Sequence, residues 1–142
     1  MIEYGIGETG GTREGHMARI LVIDDSADFR ELLRVALQNE GFDVTTAANG
    51  QEALLALESE KNRPDLILLD QNMPGMEGSE FSRRLRKMEK FRFTPIILVS
   101  GTPVEPCDPF CATLGKPFRS KTLFDLIRRF LERREEGPDH HL

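Results

Sequence analysis

Cysteine is scarce in this chain of 142 residues: Cys107 and Cys111 are the only two. Two thiols make at most one bridge, which excludes the disulfide framework of a small secreted domain. No apolar run approaches the roughly 20 residues of a membrane span, so no membrane contact is expected. The N-terminus lacks the apolar core of a secretory signal, which points to a cytoplasmic protein. Cations are not in excess either, since the formal net charge is −5 at pH 7. Nucleic-acid binding draws on clustered Lys and Arg that release counterions, so no direct nucleic-acid contact is expected. There is no internal repeat and no long low-complexity tract.

What is present suits one domain. Hydrophobic residues make up 39% and charged residues 30% of the chain, enough for a packed core under a solvated surface. Residues 1–17 read as a flexible arm or an appended segment, because residues 1–16 hold five glycines and no hydrophobic period. Residues 18–134 read as the folded domain and 135–142 as a flexible, polar tail. His16, His140 and His141 fall in these ends, where metal binding is not expected.

The middle of the chain alternates between two kinds of segment. Ile20–Ile23, Leu66–Leu69 and Ile96–Val99 are continuous apolar runs, as in parallel strands buried on both faces. Phe42–Ala47 is a weaker strand, and residues 112–115 form a short fifth. Between them, apolar residues recur at helical spacing. Phe29, Leu32, Leu33, Ala36 and Leu37 follow a Ser26 cap and stop at Gly41. Ala53, Leu54 and Leu57 mark a second helix, and Phe81, Leu85 and Met88 a third. Leu123, Leu126, Ile127, Phe130 and Leu131 mark the last, with Arg133 and Arg134 in its final turn. Alternation of this kind predicts an α/β fold: a doubly wound parallel sheet with helices on both faces. Ligands in such folds gather outside the carboxyl ends of the strands.

Chemistry-bearing residues stand at those ends. The first strand is followed by Asp24 and Asp25, the third by Asp70, the fourth by Ser100 and the fifth by Lys116. Three carboxylates brought together raise one another's pKa, and a hard divalent cation relieves the conflict. Mg²⁺ favours a few carboxylates with water and phosphate oxygens. Such a site serves phosphoryl transfer, with an aspartate as covalent acceptor. Lys116 and Ser100 then hold phosphoryl oxygens. Taken singly, Asp24 and Asp25 would only cap a helix, Asp70 would be a turn residue, and Ser100 or Lys116 would mean little. Their joint position after successive strands gives them weight.

Four motifs in this order, Asp24-Asp25, Asp70-Gln71-Asn72-Met73-Pro74-Gly75-Met76-Glu77-Gly78, Ser100-Gly101 and Lys116-Pro117-Phe118, resemble the response-regulator receiver family of two-component signalling. The match covers about residues 18–134. The resemblance implies five parallel strands in the flavodoxin-like order 2-1-3-4-5. It implies Asp70 as phospho-acceptor, Asp25 as direct Mg²⁺ ligand, and Asp24 acting largely through water. Asn72 would offer its backbone carbonyl to the metal. Ser100 would be the switch hydroxyl, Lys116 the phosphate-pairing lysine, and Pro117 a cis proline. The phosphoryl donor would be a histidine kinase or phosphotransfer protein, and the output a contact with a downstream protein that the sequence does not name. The chain would not be an enzyme beyond its own phosphorylation and slow autodephosphorylation at Asp70.

Two features depart from the family. From Thr102 to Phe110 there are nine residues, with prolines at 103, 106 and 109. Proline in a helix interior costs about 3 kcal/mol, and a crossover with its helix takes at least about 10–12 residues. The fourth helix is therefore expected to be shortened or missing, with residues 101–111 as a loop that orders when Ser100 is captured. Thr113 stands where the family often carries an aromatic rotamer switch, and Phe110 is out of register for that role. Met73 and Met76 read as loop packing. Cys107 and Cys111 read as unrelated cytosolic thiols, a redox pair being the alternative. Two competing functions follow: a pseudo-receiver that binds proteins without a phosphoryl cycle, and a haloacid-dehalogenase-like phosphatase. The latter needs Asp-x-Asp spacing, which neither Asp24-Asp25 nor Asp70-Gln71-Asn72 provides.

Overall fold

The computed structural model describes residues 17–59, 61 and 63–136, and side chains as far as residue 133. The arm of residues 1–16, the end from 137 and all three histidines lie outside the described residues. The described residues form five strands and four helices, in the order β1 (Arg19–Ile23), α1 (Ala27–Asn39), β2 (Asp43–Ala47), α2 (Gly50–Leu57), β3 (Leu66–Asp70), α3 (Gly78–Arg86), β4 (Ile96–Ser100), β5 (Cys111–Gly115) and α4 (Ser120–Glu136). A 3₁₀ turn (Glu89–Phe91) precedes β4. The sheet is parallel throughout, in the order β2-β1-β3-β4-β5.

Side-chain alternation sorts the central strands into two cores. Ile20, Val22, Leu66, Leu68, Ile97 and Val99 face α1 and α4, meeting Leu33, Leu37, Leu123 and Ile127. Leu21, Ile23, Ile67, Leu69, Ile96 and Leu98 face α2 and α3, meeting Ala53, Leu57, Phe81 and Leu85. Every residue of β3 and β4 is buried, which is why these strands read as unbroken apolar runs. Their last residues, Asp70 and Ser100, are polar and carried into the buried edge.

Local signals set the helix ends. Ser26 caps α1, its hydroxyl accepting the Phe29 N–H at 3.2 Å. Gly41, at φ 95°, closes it. There the Gly41 N–H bonds Gln38 O and the Phe42 N–H bonds Leu37 O, a Schellman pattern. Asn49 caps α2 by accepting from the Glu52 N–H at 2.8 Å. Some boundaries differ from expectation. Phe42 precedes β2 instead of opening it, and α4 runs to Glu136. Leu32 is 64% exposed, because one residue turns about 100° from Leu33 on a 3.6-residue helix. Met88 falls beyond α3, whose last turn ends at Arg86; it is half-buried against the same core.

No helix spans residues 101–110, so β4 and β5 are joined by an irregular loop. Its second half is anchored. The Arg86 guanidinium, 16% exposed, pairs with both Asp108 oxygens at 2.8 and 3.2 Å. It also donates to the carbonyls of Phe91, Thr94 and Phe110. Asp108 Oδ1 accepts the Phe110 N–H at 2.9 Å, and the Cys111 N–H reaches Asp108 O. Among the described residues, no helix is long and apolar enough to cross a membrane.

Candidate functional site

Parallel pairing brings the C-terminal ends of β1, β3, β4 and β5 to one edge. There, carboxylate oxygens of Asp24, Asp25 and Asp70 all lie within 4.8 Å of one another. Asp24 and Asp70 are buried, at 3% and 6% exposure, while Asp25 opens to solvent. Lys116, following β5, sets Nζ 3.5 Å from Asp70 Oδ1 and 3.8 Å from Asp24 Oδ2. Its backbone N–H donates to Ser100 O at 2.8 Å, which locks the start of the β5–α4 connection to β4. The Lys116–Pro117 peptide bond is cis.

The acids are fixed by short-range bonds. Asp24 Oδ1 accepts the Ser26 N–H at 2.9 Å, and its backbone carbonyl accepts from Arg30 at 2.7 Å. Asp24 thus helps seat the start of α1 as well as joining the cluster. Asp70 Oδ1 accepts the Asn72 N–H at 3.4 Å. The turn after β3 returns through Gly75, at φ 85°, with Met73 and Met76 buried in the core as packing residues. Burial pushes the Asp70 carboxyl above the ordinary aspartate range, and the neighbouring Asp24 charge adds to this. Lys116 and the Asn72 N–H act in the opposite sense. A buried acid pair with one shared lysine is short of positive charge, the deficit that a divalent cation would fill.

Ser100 ends β4 with its side chain turned toward the following loop. Its Oγ accepts the Thr102 N–H at 3.1 Å and stands 3.4 Å from Thr102 Oγ1. Beside it is a cleft of about 340 Å³ lined by Ser100, Thr102, Pro103, Val104 and Thr113 among others. This cleft lies where the fourth crossover has no helix. Thr113 is exposed in it, and Phe110 points instead to Phe93, with ring centroids 5.1 Å apart. Cys107 is half-buried and Cys111 buried, both as free thiols; burial pushes the Cys111 thiol up to about 11.

The structure therefore brings together Asp24, Asp25, Asp70 and Lys116, with Ser100 at the neighbouring strand end and Asn72 two residues beyond Asp70. No motif marks Phe29, whose ring lies under the Lys116 ammonium. Nor does one mark Arg30 and Thr102, which bond Asp24 and Ser100, or the Arg86–Asp108 anchor. Helical spacing places Phe29 among core residues, and its position one turn after Asp24-Asp25 is the available signal.

Comparison with known proteins agrees with this geometry. The sequence profile of the response regulator receiver domain matches residues 20–128. The DNA-binding response regulator MtrA of Mycobacterium tuberculosis (strain ATCC 25618 / H37Rv) is 35% identical over 130 residues, covering 84% of this chain and 53% of that protein. This chain thus spans about half the length of such curated relatives. Among solved structures, chemotaxis response regulator CheY4 of Vibrio cholerae is 36% identical with a TM-score of 0.72, covering 81% of this chain and 99% of that one. Response regulator TrrA of Thermotoga maritima, solved in complex with Mg²⁺-BeF, is 35% identical with a TM-score of 0.70, covering 80% of this chain and 99% of that one. Sheet order, acidic cluster and profile agree, and the chain belongs to the response regulator receiver domain family.

Proposed function

We propose that this domain accepts a phosphoryl group on Asp70 from a histidine kinase or phosphotransfer protein and signals through contact with another protein. The observation that carries this reading is the convergence of Asp24, Asp25 and Asp70 within 4.8 Å beside Lys116. The donor set is all oxygen, three carboxylates and one backbone carbonyl, which suits Mg²⁺. Asp24, Asp25, Asp70 and the Asn72 backbone carbonyl would hold it. When bound, the ion supplies neutralisation of the phosphoryl charge as it approaches the acids.

The remaining work belongs to the chain. A carboxylate oxygen of Asp70 attacks phosphorus as the P–N bond of the phosphohistidine breaks. The imidazole nitrogen leaves with the bonding pair, and Asp70 carries an acyl phosphate. Lys116 turns its ammonium from the Asp70 carboxylate to a phosphoryl oxygen. Ser100 Oγ exchanges its Thr102 partner for another phosphoryl oxygen, so the loop after β4 senses the modification. Water later attacks phosphorus, releases inorganic phosphate and restores the carboxylate. This is a stoichiometric cycle on the protein, with no turnover of a free substrate beyond it.

The loop in place of a fourth helix and Thr113 in place of an aromatic favour a second reading, a pseudo-receiver with no phosphoryl cycle. One experiment separates the two: incubation with acetyl phosphate and Mg²⁺, read by intact mass. The acceptor reading expects one phosphate increment that is absent without Mg²⁺ and absent in Asp70→Asn. Persistence of the increment in Asp70→Asn overturns the acceptor assignment, and its absence from the wild-type chain favours the pseudo-receiver.

A further inference from the structure

The two carboxylates near Lys116 attract its ammonium from 3.5 and 3.8 Å. Both separations exceed the roughly 2.7–2.9 Å of a charge-assisted hydrogen bond. They draw the cation in without fixing where it stands. A third partner lies beneath it: the Phe29 ring, whose centroid is 5.0 Å from Nζ. That is inside the roughly 6 Å range over which a ring face attracts a cation.

Phe29 is itself held twice. Its backbone N–H is tied to the Ser26 hydroxyl that caps α1. Its ring meets Phe118 edge-on, with centroids 6.1 Å apart and planes at 68°. Both rings pack against the core shared with α1 and α4. Phe118 is two residues past Lys116, so this contact ties the lysine-bearing segment to α1. A cap, two rings and the Lys116–Ser100 backbone bond converge on one ammonium.

We propose that Phe29, braced by Phe118, is a positioning residue for Lys116: its ring face keeps the ammonium at the rim of the acidic cluster, ready for a phosphoryl oxygen on Asp70. The proposal rests on Asp70 being the acceptor. A lysine is a compact charge on a flexible stem. Once a divalent cation takes up the carboxylates, their pull on Lys116 is largely cancelled. A ring face does not lose its attraction in that way. The lysine then meets the phosphoryl group without first being drawn back from water, which saves ordering cost at the moment of binding.

The test uses Mg²⁺ and beryllofluoride with the whole chain and Phe29→Leu and Phe29→Tyr variants. Phe29→Leu is expected to weaken beryllofluoride binding about fivefold to thirtyfold, with affinity for Mg²⁺ alone within about twofold of wild type. Phe29→Tyr, which keeps the ring face, is expected to restore binding. Proton NMR of the wild-type chain supplies a readout that needs no variant: Lys116 side-chain methylenes should be shifted upfield by the ring, relative to those of exposed Lys121. Wild-type beryllofluoride affinity in Phe29→Leu, equal impairment in the Tyr and Leu variants, or absence of the upfield shift overturns the proposal. A wild-type chain that takes up no beryllofluoride overturns the acceptor reading and this one together. Normal uptake with an unaffected Phe29→Leu overturns this one alone.

Discussion

Removing the Arg86 side chain should destabilise the protein by about 3 kcal/mol, and the damage should be local before it is global. One guanidinium, 16% exposed, bridges α3, the turn before β4 and the loop before β5. Breaking a fully buried ion pair by deleting one partner costs roughly 3–5 kcal/mol. Asp108 is 23% exposed and keeps the Phe110 N–H, so its share is smaller. Phe91 O still receives the Thr94 N–H, and Phe110 O still receives the Ile96 N–H. Thr94 O loses a donor at 2.6 Å inside a residue that is 1% exposed. An orphaned buried carbonyl costs about 1–3 kcal/mol, and the loosened pair brings the total to about 3 kcal/mol.

Thermal and urea unfolding of Arg86→Ala should therefore show a drop in Tm of roughly 10 °C. Asp108→Asn keeps an acceptor for Phe110 and should lose only about 1 kcal/mol. The double variant should lose less than the sum, because both changes cut one network. Arg86→Lys should rescue little, since one ammonium cannot reach two carboxylate oxygens and three carbonyls at once. Amide exchange should rise first at residues 91–94 and 107–111. A loss below about 1 kcal/mol in Arg86→Ala, or strictly additive effects, would show that Arg86 and Asp108 do not act as one anchor.

Three further outcomes are expected. Asp70→Asn should melt higher than wild type in EDTA at neutral pH, because it removes a carboxyl whose pKa burial has raised. A raised folded pKa means that the folded chain takes up the proton more readily, so the handicap exists above that pKa and fades as pH falls through it; a gap that widens toward acid would contradict this. Gly78→Ala should cost about 1–3 kcal/mol by overpacking, because a Cβ there would stand 2.7 Å from Leu98 Cδ1 and 2.9 Å from Asp70 O; a melting temperature unchanged from wild type would show that β3 yields. With beryllofluoride and Mg²⁺, amide exchange should change at residues 101–106, around the Thr102 N–H that Ser100 now holds, and little at 107–110; the reverse pattern would sink the sensing role of the first half-loop.

The two halves of the loop differ in how firmly they are held. Proline spacing predicts a missing helix, and the structure has none between β4 and β5. It does not follow that all of residues 101–111 are free to order on activation. Arg86 and Asp108 already fix the second half, and the Phe93–Phe110 contact buttresses it. The first half has the Ser100–Thr102 bonds and Val104 packed on the α2–α3 core. A two-position element, if Ser100 drives one, is confined to those residues, next to the cleft that Thr113 leaves open.

Most parts of this molecule visible in sequence depend on residues close in the chain, and the acid cluster is the exception that topology supplies. Strands β3 and β4 announce themselves because both faces are buried, so five neighbours are enough. Ser26 and Gly41 mark helix ends through bonds that reach at most a few residues. The acid cluster is visible because a parallel sheet sends every strand terminus to the same edge. Arg86 and Asp108 are 22 residues apart, and nothing local distinguishes that arginine from Arg83 or Arg84 on the same helix. Only the turn before β4 and the loop before β5 give it partners. Phe29 fits the apolar spacing of α1 whether it packs on a leucine or beneath an ammonium, so periodicity is blind to the difference. Its role becomes visible only when the fold carries Lys116, distant in sequence, to within 5.0 Å of its ring.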